Sequence, residues 1–528
     1  MKLTIDHTSV EVEEGATVIS AARALGIDIP TLCYLEEHPP NTSCLSCLVR
    51  INGKMVPSCA TRAEEGMEVE SETDPVREAR RMALELLLSD HLGDCIAPCH
   101  NACPAQMDVP LMIRQIEEGA EEEALITIKK HIALPGVMGR VCPAPCENGC
   151  RRETHDVAVA IGSLERYAAD ADLASGTPYL PPCKPTSGKG VAIVGAGATG
   201  LSAAYYLLQE GHACTLIDDR QKPGGTLRDD FLEEVLPAEV LDAEISCIRE
   251  LGARFEMNTR VGSDASLLKL QEDYDAVLIA AGTLDFSVIE AWRLDKGRQG
   301  IQVNRDTLST SQDGVFAAGN AVRRSSKLKV RSLADGRSAA LSIDQYLNGS
   351  PSVVDGKGFS VHMGKLDSED IIKLLEGASD LGRVLPEGGD ACGFELEEAL
   401  AEAHRCMRCD CAAAGDCRLR SYADAYSADA RAYRGERRSV EYLEISPPVS
   451  APQVNHGVRF DSGKCISCGL CVQIAGESGE DLGLTHVGRG FDVRVGVPFN
   501  RSISEGLTRA ADRAIEACPT GAMVRATD

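Results

Sequence analysis

Runs of apolar residues divide the chain into strands and helices. Residues 1–75 read as short strands, such as KLTIDHTSVEV, around one helical stretch, GATVISAARALG. A longer helix follows in VREARRMALELLLSDH, with its apolar residues on one face. GVAIVGAGATGLSAAYYLLQEGHACTLIDD then reads as a buried strand, a turn, a helix and a second strand. The longest apolar runs, such as YDAVLIAAG, are far shorter than the roughly 18 residues of a membrane span, so we predict no transmembrane segment.

Length and charge narrow the class of protein. The 528 residues, 44% of them hydrophobic, are enough for three or four domains with real cores. With 80 acidic and 54 basic residues the formal charge is -26, which argues against nucleic acid and anionic lipid as partners. Met1 opens directly into a strand-like run and not into a signal peptide. We therefore expect a cytoplasmic protein whose thiols are reduced.

The cysteines carry the strongest chemical signal. The chain has 22 of them, and eighteen fall into five local groups. Close cysteines at such spacings are typical of iron-sulfur ligation, whereas a disulfide framework belongs to short secreted chains. The pattern predicts electron transfer.

The first group has the spacing C-x10-C-x2-C-x11-C, formed by Cys33, Cys44, Cys47 and Cys59. Four thiolates with one close pair and two outlying ligands are enough for a 2Fe-2S cluster. A zinc site is the alternative, but zinc sites usually pair two C-x2-C knuckles. The segment LGIDIPTLCYLEEHPPNTSCLSCLVRINGKMVPSCAT resembles the N-terminal ferredoxin domain of the large iron-sulfur subunit of respiratory complex I and of multi-subunit iron hydrogenases.

Two cysteine triplets follow, at Cys95, Cys99, Cys103 and at Cys142, Cys146, Cys150. Six cysteines cannot fill two four-ligand clusters, so two other ligands are needed or one cluster is absent. The segments CIAPCHNACPAQMDVP and GRVCPAPCENGCRR resemble the two-cluster helical domain of glutamate synthase small subunits and dihydropyrimidine dehydrogenases.

That resemblance implies interleaved ligands. Cys103, Cys142 and Cys146 would hold one 4Fe-4S cluster, with Glu165 as its carboxylate ligand, and Cys95, Cys99 and Cys150 would hold the other. For the missing ligand, His91 precedes Cys95 in SDHLGDC, which resembles the start of a histidine-ligated cluster in the complex I subunit. The alternatives are that His91 is a helix cap and that Glu165 is a solvated carboxylate.

A dinucleotide site is predicted after residue 186. Gly195, Gly197 and Gly200 form the turn that lets a backbone approach a pyrophosphate, and Asp218 ends the next strand, where it can accept from ribose hydroxyls. The segments KPGGTLR, YDAVLIAAGT and DGVFAAGNAV resemble the flavin-contact segments of glutamate synthase small subunits, which implies FAD. The further residues that this resemblance assigns to FAD are Gly224, Gly225, Gly282, Gly319 and Asn320. Asn320 replaces the family's Asp, but an amide oxygen can still accept from the ribityl chain.

One part of that family's fold is missing. The relatives insert a second Rossmann unit, which binds NADPH, between the second and third of these segments. Here only about 30 residues separate Gly282 from Gly314, too few for the βαβ unit that a nicotinamide needs. We expect that the chain does not bind NAD(P)H by itself.

The last two cysteine groups lie near the C-terminus. Cys406, Cys409, Cys411 and Cys417 predict a 4Fe-4S site, with zinc as the alternative, unless the first pair completes the cluster of Cys95 and Cys99. That pair, in EAHRCMRC, resembles the cysteine pair that opens glutamate synthase small subunits. Further on, Cys465, Cys468, Cys471 and Cys518 match one cluster of a two-cluster ferredoxin. The ligand positions of its other cluster hold Ala475, Thr508, Ala511 and Ala514, so one 4Fe-4S cluster is expected.

The predicted architecture is a multidomain protein of α/β and α+β class. In chain order it has a 2Fe-2S β-grasp ferredoxin domain over 1–75, a helical domain with two 4Fe-4S clusters over 76–185, a Rossmann-like FAD domain over 186–350, a linker with a Cys-rich cluster site over 351–445 and a ferredoxin-like domain with one 4Fe-4S cluster over 446–528.

These features predict an electron-transfer subunit of a cytoplasmic multi-subunit oxidoreductase, with one FAD, one 2Fe-2S cluster and three to four 4Fe-4S clusters. The partner would supply the substrate site: a nicotinamide-oxidising flavoprotein, a hydrogenase, a formate or aldehyde oxidoreductase, or a glutamate synthase large subunit, with ferredoxin as a further candidate. Two alternatives are a self-contained NAD(P)H oxidoreductase of the glutamate synthase type and a non-catalytic scaffold with structural FAD. No catalytic residue is identified.

Overall fold

A computed structural model describes residues 1–323, 328–351, 358–389, 391–433, 457–489 and 493–525. The chain forms two compact units. The first unit consists of Met1–Ile96, Gly358–Lys365 and Asp410–Asp528, and the second consists of Ala97–Lys357 and Leu366–Cys409. In chain order the second unit therefore interrupts the first. The predicted boundary at 185/186 lies inside the second unit, and the one at 445/446 lies outside the described residues, so the domain limits stay predictions.

The N-terminal part of the first unit is a small mixed sheet with one helix across it. Its elements are β1 (Lys2–Ile5), β2 (Thr8–Glu11), α1 (Val18–Ala24), β3 (Leu48–Ile51), β4 (Lys54–Pro57) and β5 (Glu68–Glu70). The strand order is β2-β1-β5-β3-β4, with β1 parallel to β5 and the other pairs antiparallel. Alternate residues of the strands, such as Leu3, Ile5 and Val49, are buried beneath α1, as the two-residue period of a half-buried strand requires. The 16-residue helix α2 (Asp74–Ser89) follows and ends just before His91.

The second unit opens with a bundle of short helices. These are α3 (Pro98–Ala102), α4 (Val109–Glu117), α5 (Glu121–Lys129), α6 (Pro135–Val141), α7 (Pro145–Asn148) and α8 (Ile161–Ala174). Proline stands in the first turn of α3, α4, α6 and α7, where its missing N–H costs no helical hydrogen bond. The cysteines of this region lie at the ends of these helices or within the short ones, so helix packing decides which of them meet.

A five-stranded parallel sheet with order β10-β9-β6-β7-β8 follows in the second unit. The strands and helices of this part of the second unit are β6 (Gly190–Val194), α9 (Ala198–Gln209), β7 (Ala213–Ile217), α10 (Ala238–Glu250), β8 (Arg254–Glu256), α11 (Leu267–Asp273), β9 (Ala276–Ile279), α12 (Phe286–Ala291), β10 (Val315–Ala317), α13 (Lys329–Leu347), α14 (Ser368–Leu375) and α15 (Leu396–Ala403). The central strands β6 and β9 are buried almost throughout, as expected of a parallel sheet covered on both faces. Residues 283–313, all of them described, contain the single helix α12 and an isolated bridge between Lys296 and Ile301.

The chain then returns to the first unit. Its last elements are α16 (Arg418–Ala425), β11 (Val458–Phe460), α17 (Leu470–Glu477), β12 (Thr485–Val487), β13 (Arg494–Gly496), α18 (Ile503–Gly506), α19 (Ala511–Ala517) and β14 (Met523–Arg525). Strand β11 pairs antiparallel with β14, and β12 pairs antiparallel with β13. Ala475, Ala511 and Ala514, three of the positions where ferredoxin ligands are missing, pack in or against the core of this part. An apolar core therefore stands where a second cluster would need thiolates.

Candidate functional site

The N-terminal site, formed by Cys33, Cys44, Cys47 and Cys59, is fully buried in the first unit. The sulfurs of Cys47 and Cys59 lie 3.4 Å apart, and the Cys44 Sγ lies 3.1 Å from the Ser46 hydroxyl. Hydrogen bonding from Cys33 lowers the pKa of Cys44 to about 5, and hydrogen bonding from Cys59 lowers the pKa of Cys47 to about 7. The same hydrogen bonds raise the pKa of Cys33 and of Cys59, so within each pair one thiol holds the proton that the other gives up.

The histidine site combines residues that precede the second unit in the chain with residues that follow it. Cys95, Cys411 and Cys417 lie together in the first unit, and His91 lies in the same unit, four residues before Cys95; these four residues are called the histidine site. Burial raises the pKa of Cys417 to about 11, and the charges of Cys411 and Cys95 act in the same direction, so these three thiols are neighbours. Backbone N–H groups of Val361 and Arg420 donate to the sulfurs of Cys95 and Cys417, each at 3.4 Å.

His91 fits the role of a ligand in this site. Its Nδ1 is buried and has no hydrogen-bond partner. Burial, with the charge of Lys464, lowers the pKa of the imidazole to about 4, so the ring is neutral and a nitrogen lone pair is available. The Nδ1 bonds to no carbonyl of α2, and the hydrogen bond of the ring to a backbone group is with Lys464, so the geometry favours ligation over capping.

The four-cysteine site lies in the second unit and consists of Cys99, Cys150, Cys406 and Cys409. All four side chains line one cavity, together with apolar residues such as Ile113 and Ile161. Burial raises the pKa of Cys99, and the charges of Cys406, Cys150 and Cys409 add to this. Gly149 permits the close packing of α7 on α3, because a Cβ there would lie 2.8 Å from Ala102.

This grouping differs from two sequence-based assignments. Cys95 was expected to join Cys99 and Cys150, but it lies with Cys411 and Cys417. The cysteines at 406–417 have different neighbours: Cys406 and Cys409 line the cavity of Cys99 and Cys150, whereas the charge of Cys411 acts on Cys95 and Cys417. Cys406 and Cys409 lie with Cys99 and Cys150, whereas the alternative interpretation of EAHRCMRC placed them with both Cys95 and Cys99.

The glutamate site consists of Cys103, Cys142, Cys146 and Glu165, as the family resemblance implied. Burial raises the pKa of Cys142 to about 12, and the charges of Glu165 and Cys103 act in the same direction. Glu165 lies on α8 with 4% of its surface exposed, and its Oε1 is buried without a hydrogen-bond partner. Burial and the charge of Glu244 raise the pKa of Glu165 to about 8. A metal ligand role would satisfy the orphaned oxygen, which a solvated carboxylate would not have.

The C-terminal site consists of Cys465, Cys468, Cys471 and Cys518, in the first unit. The four sulfur-bearing residues line one apolar cavity with Phe460, Leu470 and Val495. Ser467 has a positive φ of 49°, and its N–H donates to the Cys465 sulfur at 3.4 Å. Such a turn lets Cys465 and Cys468 line the same cavity.

Among the described residues, no three His, Cys, Asp or Glu side chains are placed to hold a single metal ion. In a 4Fe-4S cluster each protein ligand binds a different iron, and in a 2Fe-2S cluster two ligands bind each iron, so the four ligands of a cluster stand farther apart than the ligands of one metal ion. The other four cysteines lie outside the five sites. Cys214 and Cys247 are buried in the sheet and helix cores, and Cys183 and Cys392 are exposed.

The glycine turn of the second unit has the geometry of a dinucleotide site. Gly195 has a φ of +109°, and a Cβ at Gly200 would lie 1.9 Å from the Gly195 carbonyl oxygen. The Asp218 carboxylate accepts from the N–H of Ala196 at 2.7 Å and of Arg220 at 2.9 Å, so it holds the turn from the end of β7. Gly225 also packs closely against this glycine turn, since a Cβ there would lie 2.8 Å from the Cα of Gly197.

The remaining residues that were expected to contact FAD also adjoin this region. Gly319 packs on Thr199, because a Cβ at Gly319 would lie 2.3 Å from the Thr199 hydroxyl oxygen. The Oδ1 of Asn320 is buried and has no hydrogen-bond partner, as expected of an acceptor reserved for a ligand hydroxyl. A cavity of about 910 Å³ opens beside Gly319. Gly224 donates its N–H to the Ala196 carbonyl at 2.8 Å. Gly282 has a φ of +71°, and no atom lies within 4 Å of the position that a Cβ would take there.

Sequence reasoning missed a network of buried charges beside the four-cysteine site. Arg152 and Arg405 are both 0% exposed. Arg152 donates to the Arg405 carbonyl at 2.9 Å and to Asp156 at 2.8 Å, while Arg405 donates to Glu402 at 2.7 Å. The only signal in the sequence is that a basic residue stands next to cysteines in GCRR and AHRC. The network joins the segments that carry Cys150 and Cys406.

No helix in the described part of the chain is both long and apolar enough to cross a bilayer.

Comparison with protein families places known domains on most of the chain. Residues 1–74 match the 2Fe-2S iron-sulfur cluster binding domain, and 68–177 match the 4Fe-4S cluster domain II of dihydropyrimidine dehydrogenase. Residues 136–336 match the pyridine nucleotide-disulphide oxidoreductase family, and 458–524 match a 4Fe-4S single cluster domain. The predicted fold class is thereby confirmed.

Three curated proteins illustrate the similarity. NADP(+)-dependent formate dehydrogenase subunit beta of Moorella thermoacetica is 41% identical over 207 residues, 35% of this chain and 29% of that protein. NAD-dependent dihydropyrimidine dehydrogenase subunit PreT of Escherichia coli is 39% identical over 188 residues, 35% of this chain and 45% of that protein. The small chain of NADPH glutamate synthase of Mycobacterium tuberculosis is 33% identical over 201 residues, 38% of this chain and 40% of that protein.

Each match thus spans less than half of the relative's own length. The domain content is that of an oxidoreductase. The predicted resemblance is confirmed: the chain carries the iron-sulfur and pyridine nucleotide-disulphide oxidoreductase module found in glutamate synthase small subunits and dihydropyrimidine dehydrogenase, with a 2Fe-2S domain before it and a single-cluster 4Fe-4S domain after it.

Proposed function

We propose that the chain is the electron-transfer subunit of a cytoplasmic multi-subunit oxidoreductase and holds one FAD, one 2Fe-2S cluster and four 4Fe-4S clusters. One observation carries the proposal. The expected iron-sulfur ligands fall into five groups of four, and each group lies inside a single compact unit. Four ligands are what a 2Fe-2S or a 4Fe-4S cluster requires.

The non-cysteine ligands support this count. The Nδ1 of His91 and the Oε1 of Glu165 are both buried and unpartnered, and each stands in a group that has only three cysteines. A buried polar atom without a partner costs about 1–3 kcal/mol, and binding to iron would remove that cost. All 22 cysteines are free thiols, which fits a reducing cytoplasm.

The residues of the second unit fit FAD. The backbone N–H groups at the start of α9 would bind the pyrophosphate, and the Asn320 oxygen would accept from the ribityl chain. When bound, FAD can exchange electrons in pairs or singly, whereas iron-sulfur clusters exchange them one at a time. The protein's contribution is to set the spacing of these groups and to keep water from the buried sulfurs.

The partner would supply the two-electron substrate site. Residues 283–313 hold one short helix where relatives of the glutamate synthase type insert a nicotinamide domain, so a self-contained NAD(P)H enzyme is disfavoured. Among the candidate partners, the similarity to a formate dehydrogenase subunit favours a formate-oxidising catalytic subunit. A hydrogenase, an aldehyde oxidoreductase, a glutamate synthase large subunit, a nicotinamide-oxidising flavoprotein and ferredoxin remain candidates.

Anaerobic purification of the full chain tests the proposal. We expect one FAD and, from one 2Fe-2S and four 4Fe-4S clusters, about 18 iron atoms per chain. Dithionite should reduce the clusters and bleach the flavin, as measured by EPR and by visible absorption. Zinc in place of iron, or iron for fewer than three clusters after reconstitution, would refute the proposal.

A further inference from the structure

Lys464 belongs to the C-terminal site by its backbone and to the histidine site by its side chain. It ends the short 3-10 helix Ser462–Lys464, directly before Cys465. Its carbonyl accepts from the hydroxyl of Thr520 at 2.9 Å, two residues beyond Cys518. Its side chain extends toward residues 91–93, where a Cβ on Gly93 would lie 2.8 Å from the Lys464 Cε.

The contact between these segments is fixed on both sides of the lysine. The Leu92 N–H donates to the Gly463 carbonyl at 2.7 Å. Gly93 has a φ of +147°, so a larger residue there would be strained as well as crowded by the lysine. The backbone around His91 is thus shaped to admit the Lys464 side chain.

The ammonium group is a buried cation. The side chain is 12% exposed, and its Nζ lies 3.2 Å from the Oδ2 of Asp461. The Asp461 carboxylate at this distance is the counter-charge that a buried ammonium needs, and the ammonium also interacts with the charge of Cys411. The charge of Lys464 also acts on His91. One cation therefore faces two ligands of the histidine site.

A cation held near a cluster stabilises the form that carries one more electron. Water would screen such an interaction, but a side chain this well buried is screened much less. Asp461 offsets part of the charge, while its Oδ1 accepts from the Gly463 N–H at 3.0 Å and holds the turn. The two residues together therefore set the size of the effect.

We propose that Lys464 raises the reduction potential of the histidine site. The inference rests on the proposed function, in that the histidine site must hold a cluster. Reduction of that cluster takes up one electron from the donor, with no bond formed and no proton transferred.

The test is an EPR-monitored redox titration of the full chain, with dithionite and viologen mediators. Lys464→Met keeps the length and apolar stem of the side chain and removes its charge. We expect the equilibrium constant for reducing the histidine site to fall about tenfold, which is a potential about 59 mV more negative for a one-electron couple. Lys464→Arg should stay near the wild-type potential. Lys54→Met, at an exposed lysine of the same unit, is the matched control and should change nothing.

Asp461→Asn provides a test with the opposite sign. The amide oxygen can still accept from Gly463, but the negative charge beside the ammonium is gone, so the potential of the histidine site should rise. This variant decides the question if Lys464→Met fails to retain its iron. The proposal is overturned if the histidine site keeps its potential in Lys464→Met at full iron content, or if Asp461→Asn does not raise it.

Failure of the proposed function would look different. In that case the wild-type protein would show no four-iron signal that Cys417→Ala removes, and no titration of the histidine site could be made. A signal that is present but insensitive to Lys464 would overturn only the present inference.

Discussion

Cys409 and Cys411 are separated by one residue and lie in different sites, which makes them the sharpest test of the ligand assignment. Cys409 lines the cavity of the four-cysteine site, and the charge of Cys411 acts on Cys95 and Cys417 in the histidine site. Single variants Cys409→Ala and Cys411→Ala should therefore each lose a different cluster. The double variant should lose both.

The magnitudes follow from the number of sites. If the five sites hold about 18 iron atoms, each single variant should retain about 14 and the double variant about 10. If the cysteines at 406–417 formed one site, as their spacing alone suggests, the double variant would retain about as much iron as either single variant. The two assignments thus differ by one whole cluster.

Iron and sulfide are measured per bound FAD after anaerobic purification and reconstitution. EPR difference spectra against the wild type then identify the lost centre, and only Cys411→Ala should remove a signal that couples to a histidine nitrogen. Cys392→Ala, at an exposed cysteine outside the five sites, is the control and should keep all iron. Identical difference spectra for the two single variants would refute the assignment.

The remaining predictions test the second unit. Asn320→Leu should weaken FAD binding about 10-fold to 100-fold, because a buried hydrogen bond worth about 1–3 kcal/mol is lost, and Asn320→Asp should restore it, as flavin fluorescence titration can measure. The isolated chain should show no saturable binding of NADH or NADPH in calorimetry, because 283–313 hold no βαβ unit, and a tight site would contradict this. Glu244→Gln should lower the free energy of unfolding by about 1–3 kcal/mol in chemical denaturation, since the Glu244 carboxylate accepts from Gly136 and Val137 at 2.8 and 2.9 Å. Glu239→Gln, at an exposed residue of the same helix, should not change it.

Local patterns predicted the elements that carry the chemistry. The one-sided apolar run before His91 forms α2, and the predicted strand, glycine turn, helix and strand form β6, α9 and β7. The loss of one ferredoxin cluster could also be foreseen, since an alanine side chain has no atom that binds iron; Ala475 and Ala514 pack in the core instead. Such features depend on neighbours within about one turn or one strand, so the sequence displays them directly.

The grouping of the ligands could not be predicted in the same way. Spacing identifies which segments carry ligands, but a cluster joins segments that only the fold brings together. Cys95 and Cys99 look like one motif, yet the chain passes from the first unit to the second between Ile96 and Ala97. It passes back between Cys409 and Asp410, which splits the second apparent motif as well. The two cysteine triplets were two ligands short of two clusters, and that shortage was the one signal in the sequence that ligands come from elsewhere in the chain.

The buried arginines explain how the segments that carry Cys150 and Cys406, distant in the sequence, are held together in the four-cysteine site. Removing two guanidinium groups from water is costly, and the cost is recovered only when every donor has a partner. Arg405 reaches Glu402, Asp156 and the carbonyls of Leu381 and Val157 at 2.7–3.1 Å. Those partners come from three separate segments, so the network is complete only when the segments carrying Cys150 and Cys406 adopt this one arrangement. The network therefore holds the segments that carry Cys150 and Cys406 in one arrangement.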